Sequence, residues 1–141
     1  LIKIAAEAAT GKRDHVSVFG TDFATRDGTG IRDYIHVSDL AAAHVDALEL
    51  LIAEPDRDLT LNVGYGRGYS VLEVLDAVDR VTNMKLERRM GPRRAGDPAE
   101  LVSDNRAILA TLPWRPKHDD LDRIVTDALA WERRLAERLP S

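Results

Sequence analysis

The apolar residues at the start of the chain follow helical spacing and then strand spacing. One helical stripe is formed by Leu1, Ile4, Ala5 and Ala8, and Gly11 provides a natural stop. The segment HVSVFG then alternates between apolar and polar positions and is rich in β-branched residues, which predicts a strand that ends at Gly20. The chain therefore begins with a helix followed by a strand.

The stretch DGTGIRDYIHVSDL, residues 27–40, has the pattern of a glycine-rich turn, a strand and the start of a helix. In such a strand one face would carry Ile31, Asp33, Ile35 and Val37, and the other Arg32, Tyr34 and His36. A half-exposed sheet with its polar side in water explains this row. A binding surface explains it too, since the planar fork of arginine suits phosphate. Periodicity leaves both interpretations open.

Helical and strand patterns continue to alternate after this stretch. Ser38 or Asp39 is expected to cap a helix that ends before Pro55. The inward face of that helix is predicted to comprise Leu40, His44, Ala47, Leu48 and Leu51, which makes His44 a core histidine. The segment DLTLNVG is predicted to form a short strand, and Ser70 and Glu73 to form a capping box for the next helix.

Three further elements complete the pattern. KLERRM predicts a strand, DNRAILATL predicts a short helix, and a last helix is expected from about Asp119 to Leu139. The inward face of the last helix is predicted to comprise Leu121, Ile124, Val125, Ala128 and Leu135. Strands that alternate with helices favour an α/β fold.

Composition narrows the class of protein. A chain of 141 residues is enough for one domain, and its net charge of −4 provides no positive field for nucleic acid or an anionic membrane. It has no cysteine, no apolar run of the length a membrane span needs and no recognisable signal peptide, so we expect a cytoplasmic protein. The sequence begins without Met or a capping residue, and we expect it to start inside a larger protein.

The loop GPRRAGDP carries a second group of candidate binding residues. Its glycines and prolines present Arg93, Arg94 and Asp97. Two arginines can clamp a diphosphate, and a carboxylate can accept hydrogen bonds from ribose hydroxyls. A solvated charged loop explains the same residues equally well, and the acidic neighbours argue against nucleic acid.

A third glycine-rich segment, NVGYGRGYSVLEV, looks like a dinucleotide-binding loop but has different spacing. Gly64, Gly66 and Gly68 give G-x-G-x-G, with Tyr69 where the third glycine of the fingerprint belongs. We interpret it as a plain turn into a helix. The four histidines, His15, His36, His44 and His118, have no metal-ligand spacing, and no metal site is expected.

Together these stretches resemble a known family. VFGTDFATRDGTGIRDYIHVSDLAAAHVDAL is similar to the carboxyl-terminal half of the UDP-glucose 4-epimerases, which are extended short-chain dehydrogenase/reductases. The similarity continues through LNVGYGRGYSVLEV, GPRRAGDPAELVSD and LPWRP, and covers Leu1 to about Trp131. It implies the carboxyl-terminal part of an extended Rossmann-like fold, with the last strand of the nucleotide-binding sheet and a small substrate-binding subdomain. Residues 1–141 would be the substrate-binding portion of an epimerase.

The resemblance also implies roles for particular residues. Arg32 and Arg94 match arginines that contact the diphosphate, and Asp97 matches the carboxylate that bonds the uridine ribose. Ser17 and Phe19 match positions on the strand whose backbone contacts the uracil edge. Leu1 matches a residue at the start of a helix that borders the substrate. Tyr34 and His36 are expected to have supporting roles, in which they orient Arg32 and pack beneath the site. Leu101 stands where some members have a tyrosine near the sugar, so the preferred sugar stays open.

The chemistry that the family implies is reversible epimerisation at C4 of a UDP-sugar. NAD removes a hydride and returns it to the other face, while a tyrosine serves as base. That chemistry needs an amino-terminal G-x-x-G-x-x-G loop and a Tyr-x-x-x-Lys pair. Four residues after Tyr34, Tyr65 and Tyr69 stand Ser38, Tyr69 and Glu73, so the chain contains no catalytic tyrosine and is expected to be inactive alone.

Other interpretations remain open at this point. The resemblance implies that the parent acts as a homodimer on UDP-glucose and UDP-galactose, with NAD held mainly by an amino-terminal half. The alternatives are another NAD-dependent sugar-nucleotide enzyme, such as a pentose 4-epimerase, a dehydratase or a decarboxylase, or a non-catalytic nucleotide-binding module.

Overall fold

The computed structural model describes residues 1–138, in which five helices and five short strands occur. The helices are α1 (Ile2–Ala9), α2 (Val37–Ala53), α3 (Val71–Thr82), α4 (Arg106–Thr111) and α5 (Leu121–Arg138). The strands are β1 (Val16–Phe19), β2 (Ile31–Arg32), β3 (Tyr69–Ser70), β4 (Arg88–Gly91) and β5 (Glu100–Leu101). The expected mixed α/β class is confirmed.

The strands form two small sheets. In the first, β1 and β4 run parallel, with Val16 opposite Arg88 and Phe19 opposite Gly91. In the second, β2 lies in the middle, antiparallel to β3 and parallel to β5, with Arg32 opposite both Tyr69 and Leu101. The loops after β1 and β4 therefore leave their sheet at the same edge, because the carboxyl ends of parallel strands meet there.

The main core lies where α1, α3 and α5 pack together and against β1. Its fully buried side chains include Val16, Val18, Leu75, Val78 and Val125. Deleting such a side chain costs about 2–5 kcal/mol where Leu becomes Ala. A smaller cluster surrounds Trp114, whose indole Nε1 donates to the carbonyl oxygen of Asp39.

Several predicted elements are confirmed with modest changes of boundary. β1 ends at Phe19, immediately before Gly20, and KLERRM contributes a strand only from Arg88 onward. The capping box is present: the Ser70 hydroxyl accepts from the Glu73 backbone N–H, and the Glu73 carboxylate accepts from the Ser70 N–H. The last helix begins at Leu121, and its expected end at Leu139 lies outside the described residues.

The strand predicted over residues 31–37 is wrong beyond Arg32. α2 begins at Val37, and its cap is His36, whose Nδ1 accepts from the Ser38 N–H at 3.0 Å, so the expected cap at Ser38 or Asp39 is also wrong. Asp39 is instead buried, where its carboxylate accepts from the Tyr65 hydroxyl at 2.7 Å. Tertiary contacts therefore determined the start of this helix. Because β2 ends at Arg32, the predicted alternation of side chains between two strand faces over residues 31–37 does not exist.

Two further expectations along α2 and after it are wrong. His44 is exposed, and its ring Nδ1 lies 2.8 Å from the Leu40 carbonyl oxygen. Leu48 and Leu51 are exposed as well. The segment DLTLNVG is not a strand, because no described segment pairs with it through backbone hydrogen bonds. Within residues 1–138, no helix is long and apolar enough to cross a membrane.

Candidate functional site

A cleft of about 640 Å³ lies between the start of α1, β1 and the loop that follows β4. Five of the six residues expected to bind substrate line it: Leu1, Ser17, Phe19, Arg94 and Asp97. These residues come from three separate parts of the chain. The fold therefore brings most of the predicted site together in one concave surface.

The alternation of β1 determines which of its side chains face the cleft. Val16 and Val18 are buried in the core, and so the intervening Ser17 and the terminal Phe19 point away from it. Both line the cleft, and Phe19 keeps 38% of its surface exposed. The polar and apolar positions of HVSVFG thus produce one core face and one cleft face.

The loop after β4 presents Arg94 and Asp97. The guanidinium carbon of Arg94 lies 4.0 Å from the centroid of the Phe19 ring, a cation–π contact that joins this loop to β1. The Asp97 backbone N–H donates to the Arg94 carbonyl oxygen at 3.3 Å, and Gly96 supplies the positive φ of +82° that the turn requires. A charged guanidinium and a carboxylate consequently line the same cleft.

Arg32 lies beside the cleft and is joined to it through Asp97. Its Nη2 is 3.7 Å from Asp97 Oδ1, and its Nη1 donates to the Ile31 carbonyl oxygen at 2.7 Å. The Arg32 side chain is half-buried, and it lines a neighbouring hollow together with Leu101 and Ser103. All six predicted site residues are therefore connected, five directly and Arg32 through its ion pair.

Tyr34 and His36 do not hold Arg32 by a hydrogen bond in the described structure. Tyr34 packs against the main core, and its burial raises the pKa of its hydroxyl although the nearby Arg32 opposes the shift. His36 caps α2 and its Nε2 lies 3.0 Å from Asp127 Oδ2. His36 thus ties α2 to α5, and Tyr34 packs at the edge of the main core.

The position of Arg93 does not match the sequence-based expectation that both loop arginines could clamp a diphosphate. It does not line the cleft; its Nε donates to Asp22 Oδ1 at 2.6 Å. Its guanidinium carbon also lies 4.2 Å from the centroid of the Phe23 ring. Only the second arginine of the pair faces the cleft, which agrees with the residue that the family resemblance singled out.

Sequence reasoning missed several lining residues. They are Ile4, Arg13, Asp14, His15, Val16 and Val71. Ile4 lies on the predicted helical stripe, and His15 and Val16 lie in the predicted strand HVSVFG. The other three sit in a turn or at the start of a helix, where periodicity gives no signal for a shared cleft. Val71 reaches it because the capping box fixes the start of α3.

The glycine-rich segment before α3 does not fit a dinucleotide. A Cβ at Gly64 would overlap Asp33 and Ser103, and a Cβ at Gly68 would overlap Ile31 and Val102. These glycines thus allow the segment to approach neighbouring protein, rather than a cofactor phosphate. This packing of Gly64 and Gly68 against protein agrees with the interpretation of the segment as a turn.

Comparison with known proteins shows that the chain is similar to sugar-nucleotide epimerases. A model of the NAD dependent epimerase/dehydratase family matches residues 1–64. The UDP-glucose 4-epimerase of Azospirillum brasilense is 50% identical over 137 residues, and that of Corynebacterium glutamicum is 44% identical over 138 residues. These matches cover 97% and 98% of this chain but 39% and 41% of the relatives.

Solved structures give the same result. UDP-glucose-4-epimerase from Stenotrophomonas maltophila, with bound NAD and formylated UDP-arabinopyranose, superposes with a TM-score of 0.92 at 42% identity, covering 99% of this chain and 41% of that one. The UDP-Glc/GlcNAc 4-epimerase from Campylobacter jejuni gives 0.84 at 47% identity, covering 94% and 40%. The fold is that of the matching part of an extended short-chain dehydrogenase/reductase. The chain spans about two fifths of the length of the relatives it matches, and it is homologous to the UDP-glucose 4-epimerases, consistent with their carboxyl-terminal part.

Proposed function

We propose that the cleft binds the UDP part of a UDP-sugar. One observation carries this proposal: Ser17, Phe19, Arg94, Asp97 and Leu1 line a single cleft, and Arg32 is ion-paired with its Asp97. Residues from one end of the chain to position 97 converge there. The six residues that meet at the cleft are the same six that the epimerase resemblance singled out in the sequence, which unrelated charged residues on a surface would not reproduce.

The roles of these residues follow from their chemistry. Arg32 and Arg94 provide planar guanidinium groups that suit the oxygens of a diphosphate. Asp97 accepts hydrogen bonds from ribose hydroxyls, and the edge of β1 at Ser17 and Phe19 contacts the uracil. Leu1 borders the substrate from the start of α1. The ion pair between Arg32 and Asp97 is half-exposed, so its exchange for substrate contacts costs little.

For the whole protein we propose reversible 4-epimerisation of UDP-glucose and UDP-galactose. Its relatives bear the name UDP-glucose 4-epimerase, and two solved relatives hold NAD together with UDP or a UDP-sugar. NAD would supply hydride removal and return when bound, mainly through residues outside this chain. Residues 1–141 would serve as the substrate-binding portion of a cytoplasmic homodimer, without catalytic activity of their own.

A pentose substrate is the second candidate, favoured by the formylated UDP-arabinopyranose in the Stenotrophomonas relative. The test is an assay of the full-length protein with UDP-galactose and with UDP-xylose. Faster conversion of UDP-galactose supports the proposal, and conversion of UDP-xylose alone supports the pentose enzyme. Absence of both conversions, with UDP still bound, would favour a different sugar-nucleotide reaction or a non-catalytic module.

The binding role is tested separately by Arg32→Ala in the full-length protein. The variant should bind UDP-sugar at least tenfold more weakly, because a charge-assisted contact to the diphosphate is removed. The unfolding midpoint should change little, since the pair with Asp97 is partly exposed. Unchanged affinity with impaired folding would contradict the phosphate role.

A further inference from the structure

Arg93 and Arg94 are adjacent in sequence but contact different segments: Arg94 contacts the last residue of β1, and Arg93 contacts the loop after β1. Arg94 stacks on Phe19 and lines the cleft, whereas Arg93 contacts Asp22 and Phe23 outside it. The two side chains therefore contact the end of β1 and the loop that follows it, respectively.

The contacts of Arg93 are directional. Its Nε donates to Asp22 Oδ1 at 2.6 Å, and its Nη2 donates to the Asp22 backbone carbonyl oxygen. Its guanidinium also lies over the ring of Phe23, which is buried. Two hydrogen bonds and a stacking contact fix the guanidinium plane more closely than a single ion pair would.

Gly20 leaves the space that this arrangement needs. It has a φ of +81°, and a Cβ there would overlap the Phe23 ring and Cγ of Arg93. Its backbone N–H donates to the Gly91 carbonyl oxygen at 2.9 Å, which continues the pairing of β1 with β4. The two loops are thus held together from the end of the sheet to Arg93.

From this geometry we infer that Arg93 is a positioning residue for diphosphate binding, acting through Arg94; the inference rests on the proposed function. By fixing the loop after β4 to Asp22 and Phe23, Arg93 holds the backbone from which Arg94 reaches the cleft. The loop is then already ordered before the ligand binds, so binding does not carry the entropic cost of ordering it. The Arg93–Asp22 pair is exposed, so its main effect falls on the order of the loop rather than on the stability of the fold.

The test is titration of UDP and of uridine into the full-length protein and its variants. Arg93→Gln should weaken UDP binding by about fivefold, a typical cost of ordering one side chain or loop segment at a site. Uridine binding should weaken less than UDP binding, since uridine lacks the diphosphate that Arg94 contacts. Asp22→Asn, which leaves the carbonyl oxygen in place, should give a smaller loss in the same direction. Arg80→Gln is the control, because Arg80 forms a comparably exposed pair with Asp122 that joins α3 to α5.

A double-mutant cycle shows whether Arg93 acts through Arg94. In an Arg94→Ala background, Arg93→Gln should cause no further loss of UDP affinity. The inference is overturned by an unchanged UDP affinity in Arg93→Gln, by an equal loss for uridine, or by an undiminished loss in the Arg94→Ala background. An unchanged UDP affinity in Arg94→Ala would contradict the proposed function itself. The Arg94→Ala variant therefore tests the proposed function separately from the positioning role of Arg93.

Discussion

At the scale of single residues, the sequence pattern identified the cleft residues better than the buried polar ones. Phe19, Arg94 and Asp97 lie in segments whose composition and family resemblance marked them before any fold was known. Asp39 was expected only as a possible cap, yet it is a buried centre of hydrogen bonds. Its partners, at Tyr65, Lys117 and His118, lie far away in sequence, so no local pattern reveals them.

Asp39 gives a prediction about pH. Burial alone would raise the pKa of its carboxyl, but the Tyr65 hydroxyl and the His118 and Lys117 N–H groups favour the ionised form and lower the pKa below its ordinary value of 3.8. A lowered pKa in the folded state means that this stabilisation is present above about pH 4 and is lost as the pH falls further. Replacement by Asn should cost about 2 kcal/mol at neutral pH.

The measurement is denaturant unfolding of the full-length protein and Asp39→Asn between pH 3 and 7. The difference between them should be largest at neutral pH and shrink below about pH 4. A difference that stays constant over the whole range would show that the ionised form of Asp39 is not what stabilises the fold.

At the scale of elements, helices with local start signals were predicted well, and those determined by tertiary contacts were not. Ser70 and Glu73 form a capping box within four residues, so the sequence alone locates the start of α3. The start of α2 depends on His36, which is held by Asp127 from α5. The segment DLTLNVG has strand composition, but a strand needs a partner, and none of residues 1–138 provides one.

Matched serine variants test this difference between α3 and α2. Ser70→Ala should lower the free energy of unfolding by at least about 1 kcal/mol, because the Glu73 N–H loses its acceptor and the Asp27 carboxylate loses a donor. Ser38→Ala should change it by less than about 0.5 kcal/mol, because Ser38 is exposed and His36 makes the cap. Equal effects in thermal or denaturant unfolding would contradict the assignment of the two caps.

At the scale of the whole molecule, α2 carries an apolar surface that the described residues do not cover. Its exposed large side chains are Val37, Val45, Leu48, Leu51 and Ile52. A contiguous exposed apolar surface of this kind promotes association in a soluble protein. We propose that in the full-length protein this helix packs against a larger nucleotide-binding part, which would cover the surface.

We therefore predict that residues 1–141 expressed alone will be loosely folded, oligomeric or prone to aggregate. Size-exclusion chromatography with light scattering and a thermal scan would measure this. Replacing Leu48 and Ile52 by Gln should reduce the association if α2 is its source. A monomer that unfolds in one sharp transition would contradict the prediction.

Whether this cleft holds a uridine diphosphate is measured most directly by a crystal structure of the full-length protein with UDP bound. We predict that the diphosphate lies between Arg32 and Arg94, with the ribose hydroxyls on Asp97 and the uracil at the edge of β1. UDP bound elsewhere, or bound while Arg32 still pairs with Asp97 and neither arginine contacts phosphate, would contradict it.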